Sequence, residues 1–232
     1  MFATRFLDID HLAYTQALAL MRGLVELKKD GDPSQILILL EHEPVLTMGR
    51  RSQDSEILAT RECLKEQGIS VHRIERGGLI TYHGPGQLVA YPIFDLKQMR
   101  LGVSELVSGL EAAVINTLAD FSIRAGRIEG LRGVWVGREK IASVGIAVRR
   151  GISFHGLALN YDPDFSHFEM INPCGLEGVK MTSISKVTAT PTDPVLLRQA
   201  LAGHLSQLFN LELHPWSLEQ ASALANIAPK KS

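Results

Sequence analysis

A thiol and an amine carry the chemistry this sequence offers most openly. Cys174 lies in Ile171-Asn172-Pro173-Cys174-Gly175-Leu176, and Lys140 opens the stretch Lys140-Ile141-Ala142-Ser143-Val144-Gly145. A thiol set between proline and glycine suits a fixed turn better than a regular helix or a central strand. At its ordinary pKa only roughly a few per cent of a cysteine is thiolate at neutral pH, so an efficient nucleophile needs a cation or base beside it. Lys140 is that cation if folding brings the two together. The alternative is a small buried apolar residue, which is what most lone cysteines are.

The densest run of special residues is Arg76-Gly77-Gly78-Leu79-Ile80-Thr81-Tyr82-His83-Gly84-Pro85-Gly86-Gln87-Leu88-Val89-Ala90-Tyr91-Pro92. Paired glycines bare backbone N–H groups and leave room for a substrate to lie against the main chain. Arg76 is read as holding a carbonyl or carboxylate, or docking a partner. His83 is read as a hydrogen-bond donor beside a reacting carbonyl. Each residue also has a plain structural explanation, and it is their crowding that marks a site. The run is neither a dinucleotide fingerprint nor a phosphate-binding loop, so nucleotide binding is not indicated.

The elements that would position these groups follow from periodicity. Residues ~10–29 read as an amphipathic helix, followed by the apolar run Ile36–Leu40, which suits a buried strand. A second strand is expected around Val45–Met48, a helix from Ser55 to Glu66, and a strand over Val71–Ile74. Leu79–Tyr82 and Leu88–Tyr91 read as short strands flanking a tight loop. A long helix spans ~103–120. Residues 134–160 form the clearest hairpin, turning at Arg149-Arg150-Gly151. From Lys140 to Val148 the pattern alternates. Ala142, Val144, Ile146 and Val148 make the core face, while Ser143 and Gly145 sit on a small face open to a ligand. Two further helices start at Asp193-Pro194 and at Ser217, the latter with Gln220 in a capping box. Interleaved helices and hairpins predict an α+β fold with a central mixed sheet. One domain over 1–232, with a polar tail from about residue 226, is expected.

Composition excludes several classes. The chain has 232 residues, 45% hydrophobic and 21% charged, with a formal net charge of −1. That balance argues against nucleic acid as a partner, although arginines cluster at Arg50-Arg51, Arg73, Arg76, Arg132, Arg138 and Arg149-Arg150. They are either a face for an acidic protein or solvated loop ends. Two cysteines give no disulfide framework or zinc pair, and the eight histidines lack metal-ligand spacing. No metal and no cofactor are expected. No secretory signal or apolar span is visible, so a cytoplasmic protein without membrane attachment is expected.

Taken in order, these segments resemble a known family. The early Glu41-His42-Glu43-Pro44-Val45-Leu46-Thr47-Met48-Gly49-Arg50, the Arg76–Pro92 run, Lys140–Gly145, His155-Gly156-Leu157-Ala158-Leu159-Asn160, the Cys174 segment and Thr182-Ser183 are similar to those of the lipoyl(octanoyl) transferases. The resemblance implies a biotin/lipoate protein ligase-like catalytic domain. It also implies transfer of an octanoyl group from octanoyl-acyl-carrier protein to a lysine of lipoyl domains. Those belong to 2-oxoacid dehydrogenase complexes and the glycine cleavage H protein, and a monomer is expected. Carried over by position, Cys174 is the acyl-thioester nucleophile and Lys140 lowers its pKa. Substrate contacts fall on Arg76, Gly77, Gly78, Leu79, Ile80, Thr81, Tyr82 and His83, on Ser143, Val144 and Gly145, and on Gly156, Leu157 and Ala158. Glu139, the acidic neighbour of Lys140, is a competing partner for its charge. Backbone N–H groups near Gly78–Thr81 or at Cys174 are candidates to hold an oxyanion.

The competing readings are an ATP-dependent ligase of the same fold, a non-catalytic module that binds lipoyl domains, and a Cys174–His83 thiol hydrolase.

Overall fold

The computed structural model describes residues 1–172 and 179–227. Among them the chain runs β1 (Phe2–His11), α1 (Tyr14–Lys29), β2 (Gln35–Glu41), β3 (Val45–Met48), α2 (Arg61–Glu66), β4 (Ser70–Arg73), β5 (Thr81–His83) and β6 (Gln87–Ile93). It continues through α3 (Val103–Asp120), β7 (Gly126–Ile128), β8 (Leu131–Val136), β9 (Glu139–Arg149) and β10 (Ile152–Asn160). It closes with α4 (Ile184–Thr188), α5 (Pro194–Phe209), β11 (Leu211–Pro215) and α6 (Leu218–Leu224).

An eight-stranded mixed sheet, ordered β11-β1-β2-β6-β10-β9-β8-β7, divides two helical layers. Strand β1 is parallel to both its neighbours, and every later pair in that sheet is antiparallel. The expected mixed sheet flanked by helices is what the chain builds. Both faces of β2 are covered, which explains its unbroken apolar sequence. Leu37 and Leu39 join Leu106, Leu110 and Val114 of α3 and Leu201 and Leu205 of α5 in one core. Ile36, Ile38 and Leu40 point the other way, against Leu20, Met21 and Leu24 of α1. A smaller sheet, β4-β3-β5, stands beside the large one and has its own core around Leu46, Ile80, Tyr82 and Phe168. No helix of the described residues is long and apolar enough to cross a membrane.

Local signals set several boundaries. The Asp193 carboxylate accepts from the N–H groups of Val195 and Leu196, with Pro194 in the first turn of α5. Ser217 and Gln220 form the reciprocal cap of α6. The β9–β10 turn places Arg150 at φ 51° and Gly151 at φ 87°, the two left-handed residues that a tight hairpin demands.

Two expectations are corrected. Residues 2–11 form a strand, and α1 starts only at Tyr14. The helix expected from Ser55 to Glu66 is broken. Ile57 bridges Ile171, the N–H of Leu58 donates to Met170, and α2 begins only after Thr60, whose hydroxyl caps the Cys63 N–H. The strands on either side of His83–Gln87 belong to different sheets, so that loop carries the chain from one sheet to the other.

Gly156 shows what the sheet requires beside the cavity described below. A side chain there would collide with the Ala90 carbonyl oxygen and lie 2.7 Å from Cδ of Pro92 on the adjoining β6. Gly156→Ala should therefore destabilise the fold by about 2–3 kcal/mol. Urea denaturation monitored by tryptophan fluorescence reads this directly.

Candidate active site

Strand β9 is the rail on which the site is assembled. Its first residues pair with β8, with Trp135 opposite Lys140 and Val134 opposite Ala142. One step on β8 thus faces two on β9, and Ile141 is the extra residue. Such a bulge re-aims side chains locally. Ile141 and Ala142 consequently both enter the α3-side core, where strict alternation from Lys140 onward would have sent Ile141 to the opposite face.

Lys140 is 5% exposed, and its Nζ lies 5.4 Å from the centroid of the Trp135 ring, within cation–π range. Its backbone is held on the other edge by the segment that follows residue 178. The Lys140 N–H donates to the Lys180 carbonyl at 2.8 Å, and the Thr182 N–H donates to the Lys140 carbonyl at 2.9 Å. Glu139, the expected competitor, turns instead toward Lys186 at 3.8 Å. Cys174, the expected nucleophile, lies outside the described residues. The residues flanking that stretch are anchored: Asn172 N–H donates to the Glu56 carbonyl, and the Glu56 carboxylate accepts from Ile80 N–H.

A cavity of about 690 Å³ opens over β9 and β10. Of the expected contacts, Arg76, Gly77, Gly78, Leu79, Ile80, Thr81, His83, Ser143, Val144, Gly145, Gly156, Leu157 and Ala158 all line it together with Lys140. Tyr82 does not. Its ring is packed in the small sheet, and its hydroxyl meets Nδ1 of His167 at 2.8 Å. Burial pushes that phenol up to about 12.

Two of the expected site residues are also engaged by the protein itself. Both terminal nitrogens of Arg76 are saturated by the protein: one donates to the carbonyls of Gly77 and Leu79, the other to the carbonyl and hydroxyl of Thr47. Through these bonds Arg76 folds the glycine loop onto β3. The loop then crosses the small face of β9, where a side chain at Gly145 would meet Arg76 Cδ and the Gly77 carbonyl at 3.2 Å, and Gly77 N–H donates to the Ile146 carbonyl.

His83, which lines the cavity, has its N–H committed to the protein. The Gln87 amide nitrogen faces two oxygens, those of Tyr82 and of the Asn160 side chain, so its own oxygen must accept from His83 Nδ1, 2.6 Å away. With the proton on Nδ1, Nε2 carries a lone pair. Burial, with help from His42 and Arg76, lowers the His83 pKa to about 3 and keeps the ring neutral.

Sequence reasoning missed Tyr14, Arg51, Trp135 and His155 among the cavity residues. Tyr14 comes from the start of α1 and stacks on His83 with ring centroids 6.4 Å apart. His155 adopts φ 57° inside β10, a conformation costly for a residue with a side chain. Its position inside the matched His155–Asn160 segment was the available signal. The other three are brought in by tertiary packing alone.

The comparisons agree with this architecture. A model of the lipoyl protein ligase A/B catalytic domain matches residues 13–206. An octanoyltransferase of Syntrophobacter fumaroxidans is 40% identical over 95% of this chain and 96% of its own length. One from Acidobacterium capsulatum is 44% identical over 77% of this chain and 78% of its own. Among solved structures, a lipoate-protein ligase A bound with ATP superposes with a TM-score of 0.76 at 17% identity, covering 97% of this chain and 93% of that one. A bi-partite lipoate protein ligase of Thermoplasma acidophilum gives 0.75 at 18%, covering 97% and 91%. The fold is that of the biotin and lipoate ligases. The chain belongs to the lipoyl protein ligase A/B catalytic domain family, on its octanoyltransferase branch, and is an acyl-transferring enzyme.

The buried histidines make stability depend on acidity. Burial lowers His42 to about 4 and His83 and His155 to about 3. Unfolding returns each to its ordinary value near ~6.5, so the unfolded chain binds more protons between those limits. Their contribution is complete above pH ~6.5 and is lost as pH falls toward the folded values, by up to about 1.4 kcal/mol per pH unit for each ring. Urea midpoints measured from pH 6.5 to 4.5 should fall, and His83→Gln should flatten the slope.

Proposed function

We propose that this enzyme moves an octanoyl group from the thioester of octanoyl-acyl-carrier protein to a lysine of a lipoyl domain, through a thioester on Cys174. The supporting observation is convergence. Lys140, the 76–81 loop, Ser143–Gly145 and Gly156–Ala158 are far apart in sequence and line one cavity. The segment that follows Cys174 is hydrogen-bonded to the backbone of Lys140 at Lys180 and Thr182.

The reaction follows from the groups. Lys140, as an ammonium, favours the thiolate of Cys174. The thiolate attacks the donor carbonyl, and the carbon–sulfur bond to the carrier breaks. The departing sulfur takes the proton of Lys140. Neutral Lys140 then accepts a proton from the incoming lysine, whose amine is almost wholly charged at neutral pH. That amine attacks the Cys174 thioester. Its carbon–nitrogen bond forms as the carbon–sulfur bond breaks and Cys174 returns to thiolate; a second nitrogen proton leaves to solvent, and the amide keeps the third. Because the donor is already activated, no nucleotide is consumed.

The glycine loop supplies candidates for oxyanion stabilisation. Ile80 N–H is spent on Glu56 and Gly77 N–H on Ile146, which leaves Gly78 and Leu79 as the uncommitted amides of this stretch among the described residues. The acyl chain gains about 0.8 kcal/mol per buried CH₂, and Leu79, Val144 and Leu157 give the cavity apolar wall for it.

Exposure to octanoyl-acyl-carrier protein should add one octanoyl mass to the intact enzyme, mapped to Cys174 and absent in Cys174→Ala. Transfer should proceed without ATP, and strict ATP dependence would restore the ligase alternative. Lys140→Ala should lower turnover by roughly two orders of magnitude or more. It should also move the pH profile of iodoacetamide alkylation of Cys174 upward by about one unit or more. An unchanged profile removes Lys140 from the mechanism.

A further inference from the structure

The least expected feature around Lys140 is the residue missing a side chain beside it. Gly133 sits on β8 at φ 105°, next to the bulge. A Cβ placed there would lie 2.6 Å from Cε of Lys140 and 3.3 Å from its Nζ, and would collide with the Ala142 carbonyl oxygen. The end of the Lys140 side chain therefore occupies the slot that glycine leaves, with Trp135 on one side.

The slot is held from behind. The Gly133 N–H donates to Oε1 of Glu111 on α3 at 2.8 Å. Glu111 is 6% exposed, and its other oxygen accepts from Nε of Arg127 at 2.8 Å, while Arg127 also donates to the Ser108 carbonyl. A buried carboxylate is costly unless its oxygens are met by donors. Here one oxygen is met by a backbone N–H on a strand and the other by a guanidinium from the neighbouring strand β7. Strand β8 is itself bulged against β7: between the Gly126–Trp135 and Ile128–Leu131 pairs, Arg132, Gly133 and Val134 face Arg127 alone, and such a bulge leaves backbone groups outside the ladder. A charge-assisted bond from the helix behind the strand meets one of them, the Gly133 N–H.

We propose that Glu111 and Gly133 are positioning residues for Lys140: Glu111 pins the bulged backbone at Gly133, and the absent side chain of Gly133 forms the seat in which the Lys140 amine is held toward the cavity. This rests on Lys140 acting on Cys174, and extends that reading to two residues that touch neither substrate nor thiol. Arg127 supports Glu111 from the half-exposed side. An ordinary structural role for Glu111 would alter stability alone, whereas a seat for the amine must also alter the acidity of the thiol.

The test is the pH profile of iodoacetamide alkylation at Cys174, in a Cys63→Ser background, for wild type, Lys140→Ala, Glu111→Ala, Glu111→Gln and Gly133→Ala. Circular dichroism confirms folding of each. Glu111→Ala and Gly133→Ala should raise the profile's midpoint by about one pH unit, a roughly tenfold loss of thiolate at neutral pH. Turnover should fall in parallel, with little change in KM. Glu111→Gln retains an acceptor for the Gly133 N–H and should recover most of the shift. Glu111→Asp, which keeps the charge but withdraws the acceptor, serves if the alanine variants do not fold. Wild-type profiles in Glu111→Ala or Glu111→Asp, alongside a shifted Lys140→Ala, would overturn the seat while leaving Lys140 in place. An unshifted Lys140→Ala would overturn the underlying role of Lys140 itself.

Discussion

Along β9 the backbone of a single strand is approached closely by four other parts of the chain, and the cavity is what those approaches leave open. At Lys140 one edge of the strand meets Trp135 on β8 and the other meets the 180–182 segment. At Gly145 the Arg76–Gly77 loop lies directly over the strand. At Ser143–Gly145 the partner strand is β10, with Ser143 opposite Ala158 and Gly145 opposite Gly156. The approaches at Gly145 and Gly156 require an absent side chain at a defined register position. Because a one-residue slip would exchange the two faces of the strand, register and chemistry are fixed together.

Polar groups beneath the cavity form one connected path. His83 donates to Gln87, Gln87 donates to Asn160, Asn160 donates to the Thr182 carbonyl, and Thr182 N–H donates to Lys140. Buried polar groups are tolerated when each finds a partner, and here the partners belong to β5, β6, β10 and the segment that follows Cys174. The network consequently fixes the His83 tautomer. It also ties the glycine loop to the strand bearing Lys140. A neutral ring whose N–H is committed to Gln87 has only an acceptor nitrogen left to offer. That is the reverse of the donor role suggested by histidine as a residue type.

Much of this was legible in the chain. Cap residues such as Asp193 and Ser217, the two-sided apolar run of β2 and the glycine at position 151 act through neighbours in sequence, so their consequences can be read locally. The crowding of glycines between 76 and 86 marked a site for the same reason. Strands β1 and β11 were not legible. They pair with each other at one edge of the sheet, with partners about two hundred positions apart in the numbering, and Phe2–His11 lacks a run of alternation clean enough to announce a strand. The bulge at Ile141 was likewise hidden, because a bulge is a relation between two strands and leaves no mark on either. Arg76 was assigned a ligand because arginine usually waits for an anion. Only the fold reveals four protein acceptors already in place.

Glycine in a strand gives up both side-chain packing and conformational entropy. Three of them, Gly133, Gly145 and Gly156, nevertheless lie in the strands around this cavity, and the space each leaves is taken by a different neighbour. Gly156 admits the backbone of β6, Gly145 admits the arginine-held loop, and Gly133 admits the lysine side chain. The first of these contacts joins two strands of the sheet. The second sets the wall of the cavity. The third admits the residue with acid–base chemistry alongside the Ala142 carbonyl of the same strand. A sheet built for stability alone would fill such positions with β-branched side chains. Leaving them empty lets a buried amine, a folded loop and a neighbouring strand converge within a few residues of one another, and the loss in packing is the physical cost of that convergence.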